Sequence, residues 1–187
     1  MTRWNAWRED AAAWAAGRHA PLRGLLLLAL AWIFFRHLAD KQYTSIIGGL
    51  NLGIHEIGHF LFAPLGEFAA VAGGSVLQCI VPVIGALMFL HQRDWFAIAF
   101  ATCWLGTNFF NVATYAADAR TRDLPLVSPV DGVPIHDWFY LLDRTGLLQH
   151  DQLVATFFRL AAITTMLAGL GFGVWLVLIM IRTRLNA

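Results

Sequence analysis

The chain has 187 residues, 58% of them hydrophobic and 13% charged, about half the charged share of a soluble domain. That balance excludes an ordinary soluble domain and points to a single integral membrane domain of all-α class with no separate soluble module. A formal net charge of +1 leaves no basic surface for nucleic acid and no acidic tail.

Residues 1–20 lack the apolar run of a signal peptide. Trp4, Trp7, Ala11 and Trp14 recur at helical spacing among Arg3, Arg8 and Arg18, which suits a short helix lying in the membrane interface. Five apolar runs follow, at 22–38, 43–62, 68–90, 95–117 and 153–181. Each approaches or exceeds the ~20 residues a helix needs to cross the hydrocarbon core. The expected fold is therefore a polytopic helical bundle of about five transmembrane helices. It has a four-span core over 22–117, a cytoplasmic loop over 118–151 and a last span. Gly48-Gly49 interrupts the second run, and Gly73-Gly74 and Pro82 weaken the third, the first candidate for a segment that fails to cross. Cys79 and Cys103 lie in different runs without CxxC spacing and read as reduced, buried small side chains.

With five crossings and a cytoplasmic N-terminus, Arg3, Arg8, Arg18, Arg23, Arg120, Arg122, Arg144 and Arg159 share one side. Arg36, Lys41, Arg93, Arg182 and Arg184 share the other. This positive-inside bias puts the end of the second run, the end of the fourth and the 118–151 loop together on the cytoplasmic side.

The second run contains HEIGH, residues 55–59. His55 and His59 fall one helical turn apart on one face and can bind one zinc ion. Glu56 is placed to act as general base toward a zinc-bound water. Three ionisable groups within a lipid-length apolar run mark a functional site.

The stretch HEIGHFLFAPLGEF, residues 55–68, resembles the signature of site-2 proteases, intramembrane zinc metalloproteases that carry HExxH in a membrane helix and draw an aspartate ligand from a later segment. That later family motif runs from an asparagine through prolines to Asp-Gly. Asn111 and PLVSPVDG, residues 125–132, are similar to it, and the resemblance implies Asp131 as the matching aspartate. The separation from Asn111 is longer than the family's, and Val133 stands where the family has a second glycine.

The residues themselves order the third-ligand candidates differently. Asn108, Asn111, Tyr115 and Asp118 form one polar stripe on the fourth run, the kind of face that turns toward a bundle interior or cavity. Asp118 ends the stripe level with His59 and is the first choice. His136-Asp137 is the second, with the imidazole as the better ligand and the adjacent carboxylate in support; Asp131 is the third. Gln78, Asn108 and Asn111 are candidate donors to an oxyanion or to a substrate backbone.

The expected function is zinc-dependent intramembrane proteolysis, with Glu56 activating the zinc-bound water against a peptide bond of a membrane protein or peptide. The expected location is a bacterial inner membrane, with the site toward the cytoplasm. Two alternatives stand beside it: a non-proteolytic zinc enzyme acting on a lipid or small molecule, and a zinc-binding membrane scaffold.

Overall fold

A computed structural model describes residues 3–126 and 136–186. The regular elements among them are helices α1 (Arg3–Ala15), α2 (Pro21–Ala39), α3 (Gly48–Phe62), α4 (Glu67–His91), α5 (Trp95–Ala117), α6 (Asp137–Arg144) and α7 (Asp151–Leu185). Short 3-10 turns fill Ala63–Leu65 and Leu148–His150. The chain is thus an all-α bundle. Four of its helices are long and apolar enough to cross a membrane: α2, α4, α5 and α7 with the turn before it. Their outer faces carry exposed side chains such as Leu28, Leu87 and Leu153, a surface suited to lipid.

Local chemistry sets several boundaries. Pro21 opens α2, where its missing N–H costs nothing. The Asp94 carboxylate accepts the Ala97 amide at 3.1 Å and starts α5. Glycines then allow the helices to approach. Gly106 lies against Met166, and Gly169 against Cys103; a Cβ on Gly169 would stand 2.6 Å from Cys103 Sγ and 2.9 Å from the Ala99 carbonyl oxygen. Such close packing, rather than segregation from solvent, holds helices together in lipid.

Long-range contacts fix the course of the chain. Helix α2 runs antiparallel to α7: Leu27 packs over Gly173, Gly17 N donates to Thr183 Oγ1 at 3.0 Å and Arg159 reaches the His37 carbonyl at 3.5 Å. Residue 41 therefore emerges beside the end of α5, where Thr114 Oγ1 donates to the Lys41 carbonyl at 2.7 Å. From there residues 40–47 descend without regular helix. Asn51 then accepts from Trp104 Nε1 at 2.7 Å, about 20 Å from the Ala117 end of α5. Helix α3 climbs back from that depth, and His59 meets the Ala70 carbonyl near the start of α4.

The second apolar run is consequently not a crossing. It enters and leaves at one end of the bundle, and its 15-residue helix spans about 22 Å, short of a ~30 Å hydrocarbon core. The irregular backbone of 42–44 borders a cavity, a setting in which non-helical chain is tolerated at depth. The third run, expected to be the weakest, is unbroken: α4 carries Pro82 inside it. Gly73 and Gly74 make room for α3 instead, with Gly58 backed onto Gly73.

This course moves α1 to the end opposite the site. Trp7 packs edge-on to Trp95 and stacks on Phe172 at centroid distances of 5.0 and 5.1 Å, and Ala11 and Ala15 are fully buried. Arg3, Arg8, Arg18, Arg23, Arg93, Arg182 and Arg184 now share that end. Arg36, Lys41, Arg120, Arg122, Arg144 and Arg159 lie toward the site end, so the 13 cations divide seven to six. A near-even division singles out neither face, and the charge argument for a cytoplasmic site no longer holds.

The stretch expected as a loop over 118–151 holds α6 within it. Trp138 Nε1 donates to Ser75 Oγ at 3.1 Å and its ring packs edge-on to Phe158 at 5.5 Å, which seats α6 against α4 and α7. Arg120 Nε binds Asp151 Oδ2 at 2.8 Å and ties the end of α5 to the start of α7.

Candidate metal centre

His55 and His59 project from one face of α3, their ring centroids 4.8 Å apart. A ligand atom from each of them and one from Glu56 all lie within 4.8 Å of one another, a group that could hold a metal ion. Gly74 makes the site possible from α4, because a Cβ there would stand 2.5 Å from His55 Nε2.

Each ring is fixed by what its other nitrogen touches. His55 Nδ1 lies 2.9 Å from Gln78 Oε1, and the Gln78 amide nitrogen faces the Asn108 carbonyl oxygen at 3.5 Å. His59 Nδ1 lies 2.9 Å from the Ala70 carbonyl oxygen. Both partners only accept, so both Nδ1 atoms donate, and in the neutral rings both Nε2 atoms present lone pairs. Those lone pairs meet a third acceptor: Asp137 Oδ2 stands 2.9 Å from His55 Nε2 and 3.3 Å from His59 Nε2.

Three acceptors cannot converge unless a proton or a cation lies among them. A single proton on one Nε2 would make one imidazolium–carboxylate pair and leave the other Nε2 facing the carboxylate lone pair to lone pair, whereas one cation would satisfy both contacts. A tetrahedral zinc with bonds of about 2.0–2.1 Å keeps its ligands about 3.3–3.4 Å apart, which matches the 3.3 Å separation at His59 and is longer than the 2.9 Å at His55. Carbonyl acceptors behind the imidazoles are also the usual support of metal-bound histidine. The donor set could therefore hold a metal ion.

Among the candidates from sequence, the structure brings Asp137 to the imidazoles and leaves Asp118 outside them. Asp118 organises a turn. Its carboxylate accepts from Thr121 Oγ1 at 2.8 Å, from the amides of Asp123 and Leu124 at 2.9 and 3.1 Å, and from His136 Nε2 at 3.1 Å. Burial opposes its ionisation, but these hydrogen bonds outweigh that and hold its pKa below the ordinary carboxylate value. His136 is not at the metal group either. Its Nδ1 accepts the Phe139 amide at 3.1 Å and caps α6; its Nε2–H therefore points at Asp118. The pair anchors the residue immediately before Asp137, and Tyr115 completes the anchor by accepting the Asp137 amide on its hydroxyl at 3.1 Å. Asp131 lies outside the described residues.

The polar stripe does face the interior, with distinct roles along it. Asn108 is fully buried and donates through its side chain to the Trp104 carbonyl at 3.0 Å. Asn111, Tyr115, His55 and Gln78 border a cavity of about 430 Å³. Gln78, read from sequence as a candidate oxyanion donor, is the support of His55. Asn51 and Ser75 went unnoticed in the sequence. The placing of Asn51 one turn before His55 is the only local signal that could have drawn attention to either. Comparison with known proteins found no matching family model, no similar curated protein and no similar solved structure.

Proposed function

We propose that the chain is a zinc-dependent intramembrane metallopeptidase of the site-2 protease kind, hydrolysing peptide bonds of membrane proteins or peptides. The observation that carries the proposal is the convergence of His55 Nε2, His59 Nε2 and Asp137 Oδ2 with both Nδ1 atoms already committed. Zinc held by these three residues would supply Lewis-acid polarisation of the scissile carbonyl and acidify a water to near neutral pH. Glu56 takes the proton of the attacking water on its carboxylate and delivers it to the departing amide nitrogen. Gln78 and Ala70 keep the two rings in one tautomer, and the His136–Asp118 pair with Tyr115 keeps Asp137 in reach. A substrate helix must unwind before its backbone is open to attack.

Two features favour hydrolysis over a structural zinc scaffold. A structural site is closed by four protein ligands, whereas here the HExxH spacing suits Glu56 to act as a base beside the two histidines, and His55 borders a cavity. The matching location is a bacterial inner membrane, with its sidedness decided by the labelling experiment below.

Protein purified in detergent should carry about one zinc per chain, lost in His55→Ala and His59→Ala. Glu56→Gln should keep the zinc and lose cleavage of a reporter containing a transmembrane helix. Wild-type cleavage by Glu56→Gln, or full zinc in both histidine variants, would overturn the reading.

A further inference from the structure

The cavity beside His55 selects its occupant by what it lacks. It lies between the descending segment, the first turns of α3, and the facing sides of α4 and α5. Leu52, Val112 and Leu124 give it apolar walls, while Gln42 and Asn111 present side-chain amides. Among the described residues no Lys, Arg, Asp or Glu lines it. A phosphate headgroup or a free chain terminus would bring a charge that no charged side chain of the described lining matches, which burial penalises. A peptide group is neutral, and a side-chain amide can match both its donor and its acceptor.

Gly48 and Gly49 differ in what they do here. A Cβ on Gly48 would collide with the Thr44 side chain, whereas one on Gly49 would meet no heavy atom within 4 Å. Packing therefore does not require glycine at 49, and helix propensity disfavours it. Yet Gly49 borders the cavity, so any side chain placed there would take up its space.

We infer that this cavity is the subsite for an apolar side chain of an internal, uncharged stretch of peptide, and that Gly49 keeps it open. The inference rests on the metallopeptidase reading.

The test uses zinc-loaded full-length protein in detergent and calorimetric titration with amide-capped peptide hydroxamates that differ only in a leucyl or a glycyl side chain. Burial of the leucyl group should tighten binding about 10- to 100-fold in the wild type. Gly49→Leu should erase that preference, so that the leucyl and glycyl probes bind it alike. Gly53→Leu adds the same bulk one turn along at an equally open position that does not border the cavity, and should keep the preference. A leucyl probe ending in a free carboxylate should bind at least about 10-fold more weakly than the capped one. A preference that survives Gly49→Leu, or is absent from the wild type, overturns the inference, as does equal binding of the capped and free-carboxylate probes. If neither capped probe binds protein that holds its zinc, the metallopeptidase reading falls first. That outcome is distinct from glycyl binding without leucyl gain, which removes the subsite alone.

Discussion

Gly74→Ala isolates the geometry of the metal group with a single methyl. The added Cβ would lie 2.5 Å from His55 Nε2 and 2.7 Å from both Cδ2 and Cε1. Ordinary contact needs about 3.4 Å or more, so the ring must retreat by roughly 1 Å. It has no free direction, because Nδ1 is held by Gln78 and Nε2 must stay near Asp137. Helix α4 cannot retreat instead without breaking the backbone contact between Gly58 and Gly73. Metal–ligand distances normally lie within about 0.2 Å of their standard values, so a retreat of roughly 1 Å takes the ring out of range. The expected loss of zinc affinity is therefore at least the 10- to 100-fold seen when a supporting residue is removed. Overpacking should also cost about 1–3 kcal/mol of stability. Competition with a chelator of known affinity measures the first, and Gly85→Ala on the same helix is the control, since its nearest neighbour would be Phe89 at 3.9 Å. Zinc affinity equal to wild type in Gly74→Ala would refute the placement of His55 against α4.

Asp137→Ala should strip zinc as thoroughly as His59→Ala, whereas Asp118→Ala and Gln78→Leu should each weaken it about 10- to 100-fold, with zinc content and cobalt-substituted absorption separating loss of a ligand from loss of its support. A stronger effect of Asp118→Ala than of Asp137→Ala would restore Asp118 as the ligand. Single cysteines in a Cys79→Ser, Cys103→Ser background should label Lys41→Cys, Glu67→Cys and Arg144→Cys from one face and Arg8→Cys and Arg184→Cys from the other. Reaction of positions 41 and 67 from opposite faces would mean that α3 crosses after all. The depressed pKa of Asp118 means that its hold on the 118–124 turn is complete above the ordinary carboxylate value near 3.8 and fades as pH falls through the lower folded value. Amide exchange at Asp123 and Leu124, corrected for intrinsic rates, should therefore show constant protection from pH 5 to 8; protection lost within that range would contradict the network.

Apolar run length alone determines α2, α4, α5 and α7, because every backbone polar group inside lipid must be satisfied within its own helix. HEIGH likewise determines that two imidazoles share a face, since the i, i+4 relation is a property of the α-helix and needs no partner. The polar stripe through Asn108, Asn111 and Tyr115 was legible for the same reason. Two matters were left to tertiary structure. Hydropathy counts residues without reading their path, so 43–62 passes as a span; contacts of Lys41 with Thr114 and of Asn51 with Trp104 decide that it returns to the end it came from. The third acceptor is the other. Asp118 ends the polar stripe and so ranks first by local pattern, while Asp137 follows His136 in a stretch without apolar periodicity; neither pattern tells which carboxylate reaches the imidazoles. The choice falls to the packing of α6, where Trp138 docks on Ser75 and Phe158 and thereby swings Asp137 onto His55 and His59 while His136 turns back to hold Asp118. Contacts between residues so far apart in the chain have no periodicity to betray them, and only the folded arrangement of α4, α6 and α7 brings them into being.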